Sequence, residues 1–210
     1  MNAVATTLLV LAGLAAVGNW VAVARGHQRA IYICKPLTLA LMIASACTLD
    51  PTTSDAVRVW FVVALVLSLL GDVFLMLPTD VFVAGLSAFL LAHIAYIVGL
   101  NLETDGIWWW VIPVALVVGT LGTRLVRGIR RSGHPEMVVP VVAYVLTIAV
   151  MVFSALASGN AVAAFGAVLF MISDSLIGEQ RFVQPRGWQP VAIMVTYHVA
   201  QALLVVSLVT

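Results

Sequence analysis

Five ionisable side chains stand inside runs that are otherwise apolar: Lys35, Asp72, His93, Asp174 and His198. Two carboxylates, two imidazoles and an ammonium are a set that can move protons and stabilise charge. Each is costly where it stands. An Asp at the centre of a helix in hydrocarbon costs about 2.5–3.5 kcal/mol on insertion scales, so such groups face a bundle interior and pair there. Asp72 is the only charge in LVLSLLGDVFLMLP (65–78), and Asp174 is the only charge in FGAVLFMISDSLIG (165–178). Taken singly, either reads as a buried structural acid as readily as a reactive one. Taken as a pair, they favour a shared site.

The helical neighbours of these groups are polar. His93 and Tyr96 share a face at i, i+3, as do His198 and Gln201, with Tyr197 adjacent. Ser68 stands one turn before Asp72, Ser173 and Ser175 flank Asp174, and Tyr144 follows Pro140. Such hydroxyls and amides are the partners a buried carboxylate or imidazole requires. The bland readings stand beside these. A lone membrane histidine often serves only as a helix–helix hydrogen bond, Lys35 can snorkel to the headgroups, and buried tyrosines often only pack. There is no G-x-S-x-G elbow, H-E-x-x-H pair, phosphate loop or dinucleotide fingerprint, which disfavours a serine hydrolase and an ATPase. No close-spaced ligand pair calls for a metal, and no cofactor is expected.

The elements that must hold these groups are membrane spans. Of the 210 residues, 63% are hydrophobic and 9% charged, against about 25% charged in a soluble domain. A span needs about 20 apolar residues. Eight such runs cover 3–24, 31–49, 56–77, 81–101, 108–127, 136–157, 160–178 and 188–209. The expected fold is an all-α polytopic transmembrane bundle forming a single integral membrane domain. Short polar links predict antiparallel neighbours. The net charge of +1 gives no field for nucleic acid. Cys34 and Cys47, thirteen residues apart on one helix, cannot form a disulfide. The N-terminal run has no preceding positive region and reads as a retained helix.

Orientation follows from arginine and lysine. The odd-numbered links hold Arg25, Arg29, Arg124, Arg127, Arg130, Arg131, Arg181 and Arg186, while the even links and termini hold only Arg58. The odd links are expected in the cytoplasm and both termini outside, in the cell (inner) membrane. The arginine run from Arg124 to Arg131 reads as a topology determinant touching anionic lipid. Trp20, Trp60, Trp108, Trp109, Trp110 and Trp188 fall near span ends, as interfacial tryptophans do. At 1.5 Å per residue, Asp72 and Asp174 each lie about 8 Å inside the cytoplasmic end of their spans, and His93 and His198 about 15–18 Å in. Pro36, Asp72 and His93 recur as Pro140, Asp174 and His198 at offsets of 104, 102 and 105. This points to two related four-helix halves in one orientation.

The segments KPL (35–37), LLGDVFLM (69–76), FLLAHIAY (89–96), FMISDSLIG (170–178) and YHVAQALL (197–204) resemble the signature segments of the lysoplasmalogenase (YhhN-like) family, in order along nearly the whole chain. Gly178 stands where that family commonly has alanine. The resemblance implies an integral membrane ether hydrolase acting on a lysophospholipid. It would cleave the vinyl ether bond of a lysoplasmalogen to a fatty aldehyde and a glycerophospho-alcohol. That bond is labile to acid. Protonation of its β-carbon gives an oxocarbenium-like cation, water adds, and the hemiacetal collapses. Two buried carboxylates in different surroundings suit this chemistry, as in glycosidases. On this reading Asp72 and Asp174 are the acid and the anion or base, in an order the sequence leaves open. His93 and His198 orient water or the carboxylates. Lys35 attracts the substrate phosphate, with Tyr96, Tyr144, Tyr197 and Gln201 lining the site. The competing readings are a small proton-coupled transporter, since membrane Asp and His pairs also mark ion paths, and a lipid-binding membrane protein.

Overall fold

The computed structural model describes residues 2–104, 106 and 110–210. Trp108 and Trp109, expected at the interface, lie outside the described residues. Among the described residues there are eight long helices and no strand: α1 (Ala3–Ala24), α2 (Gln28–Thr48), α3 (Asp55–Met76), α4 (Phe82–Asn101), α5 (Val111–Arg131), α6 (Val138–Ala157), α7 (Ala161–Phe182) and α8 (Gln189–Val206). All eight segments are long and apolar enough to cross a membrane. The chain is a multi-pass membrane protein.

Local chemistry sets the helix ends. Asn2, Ser54 and Asn160 accept hydrogen bonds from backbone N–H groups in the first turns of α1, α3 and α7, satisfying donors that a helix start leaves unpaired. Gly159 (φ +73) and Gly133 (φ +82) turn the chain out of α6 and α5 in the left-handed conformation that only glycine adopts freely. Two helices outrun their apolar stretches. α5 continues through Arg130 and Arg131, and α7 continues past Gly178 through Glu179 and Arg181 to Phe182. Arginine is a good helix former, and cations suit a helix C-terminus. Nothing stops either helix before Gly133 or Pro185. Arg124, Arg127, Arg130, Arg131 and Arg181, assigned to links by sequence, therefore sit on helices, whereas Arg186 stays in the link before α8.

α1 packs along α2, α3 along α4, and α7 along α8. α2–α3, α6–α7, α4–α6 and α1–α8 contacts close the bundle, and α5 stands at its edge against α6 and α7. The core holds Leu39, Phe61, Leu65, Phe89, Tyr96, Met151, Phe170 and Leu204. Val10, Leu14, Ile33, Ile112, Leu116, Val139 and Phe165 point outward, an apolar exterior fitted to hydrocarbon rather than water. Gly71 lets α4 approach α3, because a Cβ there would meet the Phe89 ring at 2.6 Å.

The ends alternate as the short links require. At one end Asn2 donates to the Thr48 carbonyl (2.6 Å) and the Thr52 N–H to Leu208 (2.9 Å). Asn160 there donates to the Ser207 carbonyl (3.1 Å). At the other end Arg181 bridges to Asp80 at 2.5 Å and lies over the Phe82 ring at 5.0 Å. The arginine-rich links all share this second end.

Candidate active site

Asp72, on α3, is sealed. It is 1% exposed. Lys35, on α2, places its ammonium 3.1 Å from Oδ1. Tyr197, on α8, donates its hydroxyl to Oδ2 at 2.9 Å. Both carboxylate oxygens are thus occupied, one by a full positive charge. Beside Tyr197, His198 packs against Trp20 of α1, whose indole N–H donates to His198 Nδ1 at 3.0 Å. An indole only donates. Nδ1 of His198 therefore carries the lone pair, and a neutral ring carries its proton on Nε2, which has no hydrogen-bond partner.

Asp174, on α7, has different company. Tyr144, on α6, donates its hydroxyl to Oδ2 at 2.5 Å. His93, on α4, brings Nε2 to 3.4 Å from the same oxygen, an electrostatic contact short of a formed hydrogen bond. His93 Nδ1 lies 2.6 Å from the Phe89 carbonyl. A carbonyl only accepts, so Nδ1–H is the donor and Nε2 turns its lone pair on Asp174. Only a proton carried by Asp174 or by His93 makes that contact attractive.

The two carboxylates share no hydrogen bond or ion pair. Phe170, one turn before Asp174, stands between their networks, with its ring 4.7 Å from His93 and 5.4 Å from Tyr197. Phe89 closes the same wall, 5.8 Å from Tyr197. The arrangement is quasi-symmetric. Each aspartate is held by the second helix of its own half and by the fourth helix of the other half. Tyr96 and Gln201, which occupy matching positions in the two halves, meet each other: the Tyr96 hydroxyl donates to Gln201 Oε1 at 2.6 Å.

A narrow, apolar cleft opens beside Asp174. Tyr144, Phe89, Leu125, Ile148, Met171 and Phe182 are among its walls, and among the described residues Asp174 is the only acidic or basic side chain that lines it. Of the other residues expected at the substrate, Lys35, Tyr96, Tyr197 and Gln201 do not line it. They bond to Asp72 or to one another behind Phe170. Among the described residues no three His, Cys, Asp or Glu side chains converge as metal ligands.

The model of the YhhN family matches residues 30–208. The chain belongs to the YhhN family. It is 34% identical to lysoplasmalogenase TMEM86B of Homo sapiens over 146 residues, 69% of this chain and 61% of that protein. It is 34% identical to a lysoplasmalogenase of Mycobacterium bovis over 175 residues, 80% of this chain and 66% of that one. The chain spans less than two thirds of either relative's length. No solved structure matches it.

The serines depart from expectation in this YhhN-family chain. Ser173 donates to the Ile193 carbonyl (3.1 Å) and Ser175 to the Met171 carbonyl (2.6 Å), while Ser68 Oγ is buried without a partner. Only Ser175 bonds a carbonyl one turn back on its own helix, while Ser173 reaches a carbonyl of α8. The longer tyrosines reach across helices and serve the carboxylates instead. Trp20 caps His198 rather than standing only in an interfacial belt. Phe170 and Phe89 were not singled out by sequence. The available signal was their i−4 spacing from Asp174 and His93.

Proposed function

We propose that this chain hydrolyses the vinyl ether bond of a lysoplasmalogen-type lysophospholipid, giving a fatty aldehyde and a glycerophospho-alcohol. Membership of the YhhN family and relatives named lysoplasmalogenase support the activity. The observation that carries the mechanism is the setting of Asp174: one carboxyl, between Tyr144 and the lone pair of His93, on the wall of an apolar cleft.

In this reading the alkenyl chain lies in the cleft and Asp174 is the proton donor. Its proton passes to the β-carbon of the vinyl ether, and the ether oxygen shares the resulting positive charge. Asp174, now a carboxylate, stabilises that cation. Water adds to the α-carbon, and the Asp174–His93 pair takes its proton. Asp174 then returns that proton to the ether oxygen as the hemiacetal hydroxyl gives its own proton to Asp174, so the hemiacetal collapses to aldehyde and alcohol and the carboxyl is protonated again. General acid catalysis of this kind supplies roughly 10²–10⁴-fold. Tyr144 fixes the carboxyl orientation. Asp72, neutralised by Lys35, forms a fixed ion pair behind Phe170 and Tyr197. His198, Tyr96 and Gln201 brace that second network. The arginine-rich end lies in the cytoplasm, as the arginine bias directs, in the inner membrane of the cell.

The test is incubation of the detergent-purified protein with matched 1-alkenyl, 1-alkyl and 1-acyl lysophospholipids, with mass-spectrometric detection of products. Aldehyde from the alkenyl lipid alone is the expected result. No aldehyde, or equal cleavage of the acyl lipid, contradicts the reading.

A further inference from the structure

Phe182, on the wall of the cleft beside Asp174, also faces the arginine-bearing end. There a groove between α5 and α7 is lined by Thr120, Thr123, Arg124, Arg127 and Arg131, and it shares Phe182 with the cleft. The three arginines recur at i, i+3 and i+7, one face of a helix. They hold that face because α5 stays helical through Arg131. Gly128, among them, brings α7 close, since a Cβ there would meet the Phe182 carbonyl oxygen at 2.7 Å. Arg124 is bridged to Glu179 of α7. Arg127 and Arg131 are exposed and, among the described residues, meet no acid. Arg127 also lines the neighbouring groove between α5 and α6.

We propose that Arg127 and Arg131 bind the phosphate of the lipid whose chain occupies the cleft beside Asp174. The identity of that lipid as substrate rests on the function proposed above. Glu179, which marks the level of Arg124, lies five residues beyond Asp174 on α7, ~7.5 Å along the helix axis. In a 1-alkenyl lysophospholipid three glycerol carbons separate the ether oxygen from the phosphate, a spacing of the same order. An ether held at Asp174 therefore puts its phosphate near the level of Arg124, where the long side chain of Arg127 reaches. Lys35, the cation expected for this task, is paired with Asp72 and does not line the cleft. Guanidinium groups grip phosphate oxygens in pairs. A phosphate could also belong to a resident bilayer phospholipid, and the test separates the two sources.

The experiment compares wild type with the Arg127→Gln/Arg131→Gln double variant in detergent. It measures kcat/KM for a 1-alkenyl lysophospholipid and for neutral 1-alkenylglycerol. The expected result is a fall of about tenfold or more in the ratio of the two, carried by KM for the phosphate-bearing lipid, with partial recovery in the double lysine variant. An unchanged ratio overturns the proposal, whether or not both rates fall. Binding of the saturated 1-alkyl lysophospholipid gives a readout independent of turnover, and should weaken by a similar factor in the glutamine variant. If it weakens but wild type releases no aldehyde, the hydrolase reading fails and the phosphate site stands. If diacyl phospholipid displaces the alkyl ligand equally well, the arginines hold a bilayer lipid and the assignment to substrate is overturned.

Discussion

Asp72 and Asp174 occupy corresponding places in the two halves of the chain, yet their surroundings are opposite. Asp72 has a lysine and a tyrosine, one to each oxygen, and no opening. Asp174 has a tyrosine, a histidine lone pair and an apolar cleft. The matched histidines diverge in the same way. His93 carries its proton on Nδ1 and turns a lone pair inward, while His198 accepts at Nδ1 and holds its proton on Nε2. The lesson is chemical. On the proposed mechanism, two aspartates at matching positions become one half of a buried ion pair and a proton donor because different cross-bundle partners meet them.

The largest effect that would break this contrast is at Asp174. Asp174→Asn should cut aldehyde release by roughly 10²–10⁴-fold, the range of a lost general acid, with little change in thermal stability. Asp72→Asn should act mainly on folding. It leaves Lys35 buried without its partner, and breaking a buried pair costs about 3–5 kcal/mol, read as a lower midpoint in a thermal or denaturant melt. The Lys35→Met/Asp72→Leu double variant should recover most of that stability. If both single asparagine variants lower stability equally, the contrast fails.

The histidines sharpen it next. His93→Gln should lower kcat and reshape its pH profile, because His93 Nε2 faces the carboxyl proposed to react. His198→Gln should lower the melting midpoint with a smaller effect on kcat and no new pH dependence. Tyr144→Phe should cost about tenfold in kcat, the loss of one hydrogen bond to a charged or acidic group, whereas Tyr197→Phe should act chiefly on stability. The smallest effect is expected outside the membrane. Arg181 holds the exposed Asp80 carboxyl below its usual range. Any contribution of that bridge is present above the usual carboxylate range and is lost as pH falls through the lowered value. Asp80→Asn should therefore leave the melt near pH 7 within experimental scatter.

Much of the bundle was legible in the sequence because hydrocarbon permits few solutions. Eight apolar runs separated by short polar links leave little freedom but alternation. The extra turns of α5 and α7 were not legible, because a hydropathy window ends where charge begins, while a helix ends where a glycine or proline stops it. The site was legible as a list of expensive residues. It was not legible as a pairing, since equal depth of Asp72 and Asp174 does not reveal which helix faces which. Lys35 illustrates this: its type suited both phosphate and carboxylate, and only packing of α2 on α3 gave it to Asp72. Trp20 near a span end looked interfacial, and its bond to His198 depends on α1 lying beside α8.

The most direct test of the central claim is turnover in D₂O, with the aldehyde trapped as it forms. Protonation of the vinyl ether β-carbon by Asp174 places one deuterium on the carbon next to the aldehyde. The account predicts singly deuterated aldehyde from wild type and almost none from Asp174→Asn. Undiminished release of the same labelled aldehyde by Asp174→Asn would contradict it.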